Sequence, residues 1–195
     1  MTRGRRASGT RSPLRMLVDT AGFLALLAMV LFGLYAGGLL RPETGEFTAV
    51  DGDSLRKGGQ DYRLHAIDAP ELHQTCSDRN GASYACGREA RSALRRLLVR
   101  GLVTCQPIET DRYGRIVAIC RAGDTDINAE LVRLGWAVAY RRHGSDYVDQ
   151  EARARAAGRG IWQGHFEMPE DWRSSHRGAF QRGDLTASGS DVPDD

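Results

Sequence analysis

An uncharged, mostly apolar run from Thr20 to Leu40 constrains this chain more than any other sequence feature. As a helix, a run of this length suffices to cross the roughly 30 Å hydrocarbon core of a bilayer at about 1.5 Å per residue. Five arginines and no acidic residue precede it within residues 1–15, and this bias keeps an N-terminus in the cytoplasm. The pattern predicts a basic cytoplasmic segment at 1–19 and a single transmembrane anchor at 20–40.

A cleaved signal peptide is the alternative interpretation, because it shares the basic start and the apolar stretch. The run is longer than the usual apolar region of about 7–15 residues, and Ala36-Gly37-Gly38 offers only a weak cleavage site. The anchor is therefore favoured. We expect an inner-membrane protein whose remaining residues lie in the periplasm, or a secreted protein if the segment is cleaved.

The rest of the chain predicts one soluble domain. A polar linker at 41–45 is followed by residues 46–182, enough for a single core and too few for two. Residues 183–195 are rich in Gly, Ser, Thr and Asp and predict a disordered acidic tail. The chain carries a formal charge of only +2, so bulk charge does not indicate a polyanion partner. Any such affinity must come from local arginines or a metal ion.

The candidate functional residues lie in three stretches, at residues 51–54, 63–71 and 111–115. Asp-Gly-Asp alone is typical of a hairpin turn, and Asp-Ala-Pro-Glu alone is typical of a strand end. Together they supply three carboxylates and two arginines, which are Asp53, Asp68, Glu71, Arg63 and Arg115.

These groups match a metal-assisted phosphodiesterase. Asp53 and Asp68, with a backbone carbonyl and waters, would form a Ca²⁺ site with open positions. Glu71 lies three residues beyond Asp68 and could deprotonate a water without ligating the metal. Arg63 and Arg115 could offset the charge that develops on phosphoryl oxygens.

The sequence resembles the thermonuclease family, whose type member is staphylococcal nuclease. The resemblance is carried by three motifs in this order: Val50 to Asp53, Arg63 to Glu71 and Asp111 to Arg115. The resemblance runs from about Phe47 to Trp172. It implies an α+β, mainly β fold, a five-stranded OB barrel with three helices, and Ca²⁺-dependent hydrolysis of DNA or RNA.

The resemblance also implies a role for each matching residue. Asp53, Asp68 and the backbone carbonyl of Ala69 would bind calcium, Glu71 would be the general base, and Arg63 and Arg115 would bind the phosphate. Ala69 stands where the family often has threonine, a change that a carbonyl ligand tolerates. Tyr113 and Tyr140 fall where the family contacts substrate through aromatic rings, although Tyr140 could equally pack against the barrel.

Four cysteines beyond an exported anchor predict two disulfides. We favour a local pair, Cys76 with Cys86, and a pair across a hairpin, Cys105 with Cys120. Each would contribute up to about 3 kcal/mol in the chain-entropy model. A structural zinc site is the alternative, but the sequence contains no Cys-x-x-Cys spacing.

The periodicity of the apolar residues predicts helices at 88–98, 126–135 and 146–160, and strands at 46–51, 102–106 and 116–121. Residues 55–64 predict a hairpin that turns at 57–59. Arg63 and Asp68 fall on opposite faces of one strand, so a twist or bulge must bring them together. His65 is expected to be partly buried and not a ligand.

The combined interpretation is a membrane-anchored, monomeric nuclease that acts on DNA or RNA with Ca²⁺. The alternative is a catalytically silent OB domain that binds nucleic acid or protein at the membrane. Such a module would not need all five charged residues together.

Overall fold

A computed structural model describes residues 13–36 and 41–182 of the chain. The start of the predicted basic segment, the last residues of the predicted anchor and the predicted acidic tail lie outside these ranges. The chain divides after Arg41 into two compact units.

The first unit contains one long helix, α1 (Pro13–Ala36). It exposes large apolar side chains such as Phe23, Met29 and Phe32. No helix in the described ranges has both the length and the apolarity needed to cross a membrane. The anchor at 20–40 stays a prediction.

The second unit is a mixed α+β domain made mainly of sheet. Its helices are α2 (Cys86–Leu98), α3 (Ile127–Arg133), α4 (Val148–Ala156) and α5 (Pro169–Arg182). Its strands are β1 (Glu43–Gly45), β2 (Thr48–Ala49), β3 (Ser54–Lys57), β4 (Gln60–Leu64), β5 (Ile67–Asp68), β6 (Cys76–Ser77), β7 (Ser83–Tyr84), β8 (Val103–Thr110), β9 (Ile116–Ala122), β10 (Thr125–Asp126) and β11 (Val138–Ala139).

The main sheet has the strand order β1-β8-β9-β4-β3-β2, with β10 also paired to β9. The β4–β9 pairing is parallel and the others are antiparallel. The sheet curls into a half-barrel that is consistent with the predicted OB-like fold. The sheet packs against α2 and α3 through buried leucine and isoleucine side chains, among them Leu55, Leu64, Leu94, Ile127 and Leu131.

Three predicted helices are present as α2, α3 and α4, and the structure adds α5, which the sequence analysis did not predict. The predicted hairpin is β3 and β4, where Gly58 and Gly59 adopt positive φ angles of 55° and 85° that suit glycine. The predicted linker contains β1, which pairs with β8. The sheet therefore begins earlier than the apolar alternation indicates.

Both predicted disulfides are confirmed. Cys76 bonds Cys86 and fastens β6 to the start of α2, whereas Cys105 bonds Cys120 at directly opposed positions of β8 and β9. All four cysteines are used in these bonds. This pairing excludes the alternative of a structural zinc site.

The irregularity expected between Arg63 and Asp68 lies at Ala66, whose φ of 55° is unusual for a residue with a side chain. It separates β4 from β5, which pairs with β11 instead of continuing along β9. Buried Asn128 of α3 supports the break, because its amide donates to the backbone carbonyl of His65 at 3.1 Å. The break brings Asp68 to the side of Arg63.

Candidate functional site

Asp53 connects the turn before β3 to the start of the 68–71 stretch. It is 4% exposed, and its Oδ2 accepts the backbone N–H of Ala69 at 2.9 Å. The turn that contains Gly52 lies close to Ala69 and to helix α2. A Cβ on Gly52 would be 2.6 Å from the Cβ of Ala69 and 2.8 Å from the Cβ of Ala90. Glycine is therefore required at position 52.

Asp68 is the most buried carboxylate of the site, at 1% exposure. Arg63 bridges it to Asp53, donating from Nη1 to Asp53 Oδ1 at 3.0 Å and from Nη2 to Asp68 Oδ1 at 2.8 Å. Arg173 of α5 donates to both oxygens of Asp68, at 2.9 Å each. Two guanidinium groups thus hold one buried carboxylate.

Glu71 lies at the edge of the same cluster and is partly exposed. Its Oε1 accepts from Nη1 of Arg173 at 2.8 Å, and its backbone N–H donates to Oε1 of Gln74 at 3.1 Å. Gln74 is fully buried and donates to the carbonyl of Glu167, just before α5. The Glu71 backbone also packs against Gly87, where a Cβ would collide with the carbonyl oxygen of Glu71. The position of Glu71 is therefore fixed from both α2 and α5.

Arg115 is held apart from the carboxylate cluster by the β8–β9 hairpin. Its Nε donates to Oδ2 of Asp111 at 2.8 Å, and its backbone N–H donates to Oδ1 of the same residue at 3.0 Å. Tyr113 is 68% exposed at the tip, and its ring is stacked by the guanidinium groups of Arg112 and Arg115 at 4.8 and 5.5 Å.

A cavity of about 800 Å³ joins the hairpin to the cluster. Its lining includes Arg63, Glu71 and Arg173 of the carboxylate cluster, and Tyr113 and Arg115 of the β8–β9 hairpin. Tyr140 and Arg142 also line it. Of the sequence-predicted site residues, the cavity is lined by Arg63, Glu71, Tyr113, Arg115 and Tyr140, whereas the predicted metal ligands Asp53, Asp68 and Ala69 are not among its lining residues. The side chain of Arg115 bonds Asp111 and none of the three carboxylates Asp53, Asp68 and Glu71.

Crowding of acids sets the electrostatics of the site. Burial, and then the charge of Asp53, raises the pKa of Asp51 to about 6. Burial likewise raises the pKa values of Asp68 and Glu71, against the opposing hydrogen bonds from Arg173. Four acidic side chains, those of Asp51, Asp53, Asp68 and Glu71, therefore lie around two guanidinium groups, those of Arg63 and Arg173.

Sequence reasoning missed two members of the site. Asp51 lines the cavity, whereas the sequence places it at the end of the 46–51 strand and in the Val50 to Asp53 motif without a role in the site. Arg173 lies 105 residues beyond Asp68. Pro169 followed by Glu170 and Asp171 is a helix-start signal that could have revealed α5. No sequence signal joins its arginine to Asp68.

The donor chemistry of the site fits a hard cation such as Ca²⁺, because every buried acidic group offers oxygen. As arranged in the described ranges, no three His, Cys, Asp or Glu side chains are grouped so that they could hold a metal ion. Guanidinium groups face Asp68 instead. The residues fit calcium by type and by their excess of negative charge.

Asp51→Asn is expected to stabilise the metal-free protein at about pH 8, by on the order of 1–2 kcal/mol, since one pKa unit corresponds to about 1.4 kcal/mol. With a folded pKa of about 6 and an ordinary value of 3.8, Asp51 stays protonated in the folded state where the unfolded chain has released the proton. The loss of folding stability caused by burying the charged Asp51 carboxylate is therefore absent at acidic pH and complete above about pH 6. Urea unfolding in chelator should show the advantage of the variant shrinking towards pH 4.5.

Asp61→Asn is the control for this prediction. A hydrogen bond from Arg56 lowers the pKa of Asp61, so its replacement should give no stabilisation at pH 8. A gain of equal size in both variants would contradict the assignment of the effect to Asp51.

Comparisons with known proteins agree on one family. The sequence model described as "Staphylococcal nuclease homologue" matches residues 61–164, just over half of the chain. The succinoglycan biosynthesis protein ExoI of Rhizobium meliloti (strain 1021) is 34% identical over 162 residues, covering 80% of this chain and 85% of that protein. An uncharacterized endonuclease of Haemophilus influenzae is 31% identical over 135 residues, covering 65% of this chain and 70% of that protein.

The probable staphylococcal-like nuclease CAN2 of Oryza sativa subsp. japonica is 31% identical over 122 residues, which are 61% of this chain but 30% of the rice protein. The match to the family model includes Arg63, Asp68, Glu71 and Arg115. The match, the half-barrel fold and the convergence of these side chains lead to one assignment: the chain belongs to the family of staphylococcal nuclease homologues.

Proposed function

We propose that this protein is a Ca²⁺-dependent nuclease that hydrolyses phosphodiester bonds of DNA or RNA. The observation that carries the proposal is the network in which Arg63 joins Asp53 to Asp68. This network lies beside a cavity whose lining includes Glu71 and the arginines Arg63, Arg115 and Arg173. Relatives named as nucleases support the same reaction class.

In this proposal, Asp53, Asp68 and the carbonyl of Ala69 hold the calcium ion. Bound calcium would supply positive charge to the phosphate and lower the pKa of a coordinated water. The chain keeps the two carboxylates buried and presents Ala69 beside them, through the bond from the Ala69 N–H to Asp53. This bond holds two parts of the chain, 16 residues apart, in one site.

Glu71 is the general base of the proposed reaction. In the metal-free protein its Oε1 is bonded to Arg173, and in the reaction its carboxylate takes a proton from water. Burial raises its pKa, which makes it a stronger proton acceptor than an exposed glutamate. Its fixed backbone, held by Gln74, keeps the carboxylate at the cavity edge.

Arg63 and Arg115, which both line the cavity, stabilise the charge that develops on the phosphate. Tyr113 and Tyr140 supply aromatic surface on which bases stack without sequence preference. For Arg115 to act in this way, part of its hydrogen bonding must pass from Asp111 to the phosphate.

The proposal also keeps the features expected from the sequence that lie beyond these observations: a five-stranded OB barrel, a monomer, and an anchor at 20–40 that places the domain in the periplasm. The two disulfides support an oxidising location. Separation of cells into soluble and membrane fractions tests the anchor, since release into the soluble fraction would contradict it.

The deciding experiment is cleavage of denatured DNA and of RNA by the full-length, oxidised chain in mild detergent, with Ca²⁺ or with chelator. We expect cleavage that requires Ca²⁺ and stops in chelator. DNA binding without cleavage, by a folded protein in Ca²⁺, would contradict the proposal and favour a catalytically silent binding domain.

A further inference from the structure

Arg173 is the one member of the site contributed by α5. Its guanidinium group bonds Asp68 through two parallel hydrogen bonds of 2.9 Å and bonds Glu71 at 2.8 Å. These two residues are a proposed calcium ligand and the proposed general base. The positive guanidinium group of Arg173 therefore lies between two of the negatively charged carboxylates of the site.

The contacts of Asp68 leave little room for another cation. Arg63 and Arg173 both donate to Oδ1, and Arg173 also donates to Oδ2. These bonds use three of the roughly four lone-pair sites of the carboxylate, so a metal ion that takes an oxygen of Asp68 as a ligand competes with these donors. Arg63 is the harder to displace, because its side chain is 21% exposed whereas that of Arg173 is 33% exposed.

Arg173 can leave without undocking its helix, because α5 has other attachments. Trp172 is 7% exposed, the carbonyl of Glu167 accepts from buried Gln74 at 2.7 Å, and Glu170 pairs with Arg142 at 2.8 Å. The side chain of Arg173 is one third exposed, so it has solvent on one side into which it can turn. The cavity beside it is lined by further arginines, a suitable surface for a phosphate.

Charge gives the direction of the exchange. Without a metal, the positive charges of Arg63 and Arg173 offset only part of the charge of the buried acids around them. A divalent cation beside Asp53 and Asp68 would supply that charge and repel a guanidinium at the same place.

We propose that Arg173 is a resident cation of the site, which holds Asp68 and Glu71 in the metal-free protein and competes with the divalent metal for them. This inference rests on the proposed calcium site. It makes metal binding an exchange of Arg173 for Ca²⁺, and it releases Arg173 into the cavity, where substrate phosphate would bind.

Isothermal titration of full-length protein with CaCl₂ tests the exchange in the absence of substrate. Arg173→Gln is expected to bind Ca²⁺ at least about tenfold more tightly than the unaltered protein, because hydrogen bonds to a charged group no longer have to be broken. Arg173→Lys, which keeps the charge but loses the paired donors, should fall between them. Arg133→Gln is the matched control, since it removes a bidentate pair with Glu130 on the surface of α3 and should leave the affinity unchanged.

Thermal unfolding gives a second readout. In chelator, Arg173→Gln should unfold at a lower temperature than the unaltered protein. Added Ca²⁺ should raise the unfolding temperature of the variant by more than it raises that of the unaltered protein. Equal or weaker Ca²⁺ affinity in a folded Arg173→Gln protein would overturn the inference and reduce Arg173 to an anchor for α5. If neither protein binds Ca²⁺, the proposed calcium site fails and the inference fails with it. Ca²⁺ binding without cleavage would remove the nuclease function alone.

Discussion

Replacing Glu71 by glutamine is expected to lower turnover on denatured DNA by on the order of 100-fold or more, the range found when a general base is lost. Glutamine can still accept the hydrogen bond from Arg173 through its amide oxygen, so the fold and the affinity for DNA should change little. Steady-state cleavage in Ca²⁺ measures the turnover. Fluorescence anisotropy of a labelled strand measures the affinity.

Glu109→Gln is the matched control, because Glu109 lines the same cavity from β8 and belongs to no bond of the carboxylate cluster described above. It removes an equal charge and should leave turnover close to that of the unaltered protein. Unchanged turnover in the Glu71 variant would remove Glu71 from the mechanism. An equal loss in both variants would show that the overall charge of the cavity, and not a proton transfer, limits the reaction.

Replacing Arg63 by glutamine should destabilise the metal-free protein by about 3 kcal/mol, because removing one partner of a buried ion pair leaves charge uncompensated. Arg63 is the shared partner of Asp53 and Asp68, which are 5% and 1% exposed in their side chains. Urea unfolding in chelator measures the loss. Added Ca²⁺ should recover part of it if the metal binds between the same two carboxylates.

Arg56→Gln is the comparison on the same hairpin. Arg56 makes a two-point contact with Asp61, but both side chains are exposed, and water screens such pairs. The urea midpoint of the Arg56→Gln variant should therefore stay close to that of the unaltered protein. If the Arg63 variant loses no more stability than the Arg56 variant, then the buried network does not hold the 68–71 stretch in place.

Local sequence signals predicted the parts of this structure that depend on neighbouring residues. The β3–β4 hairpin follows from Gly58 and Gly59 between alternating strands, and α2 follows from apolar residues at helical spacing. The pairing of Cys105 with Cys120 could be predicted because both strands join at one loop, which sets them opposite each other.

The break at Ala66 shows where such signals end. The alternation of side chains along a strand places Arg63 and Asp68 on opposite faces. It therefore indicates that the strand needs an irregularity, but it does not indicate at which residue. The positive φ of Ala66 is maintained by contacts from distant segments, including Asn128 and the backbone of Tyr140. No local propensity favours that conformation for alanine.

By itself, the sequence determined which chemical groups the domain carries: carboxylates and arginines in three short stretches, together with two disulfides and a mainly β domain. Only the tertiary structure decided which charges meet. Arg173 reaches Asp68 because α5 packs across the site, and Arg115 bonds Asp111 because the β8–β9 hairpin holds it there. Side-chain identity is fixed residue by residue, whereas the pairing of buried charges depends on how distant segments pack and exclude water.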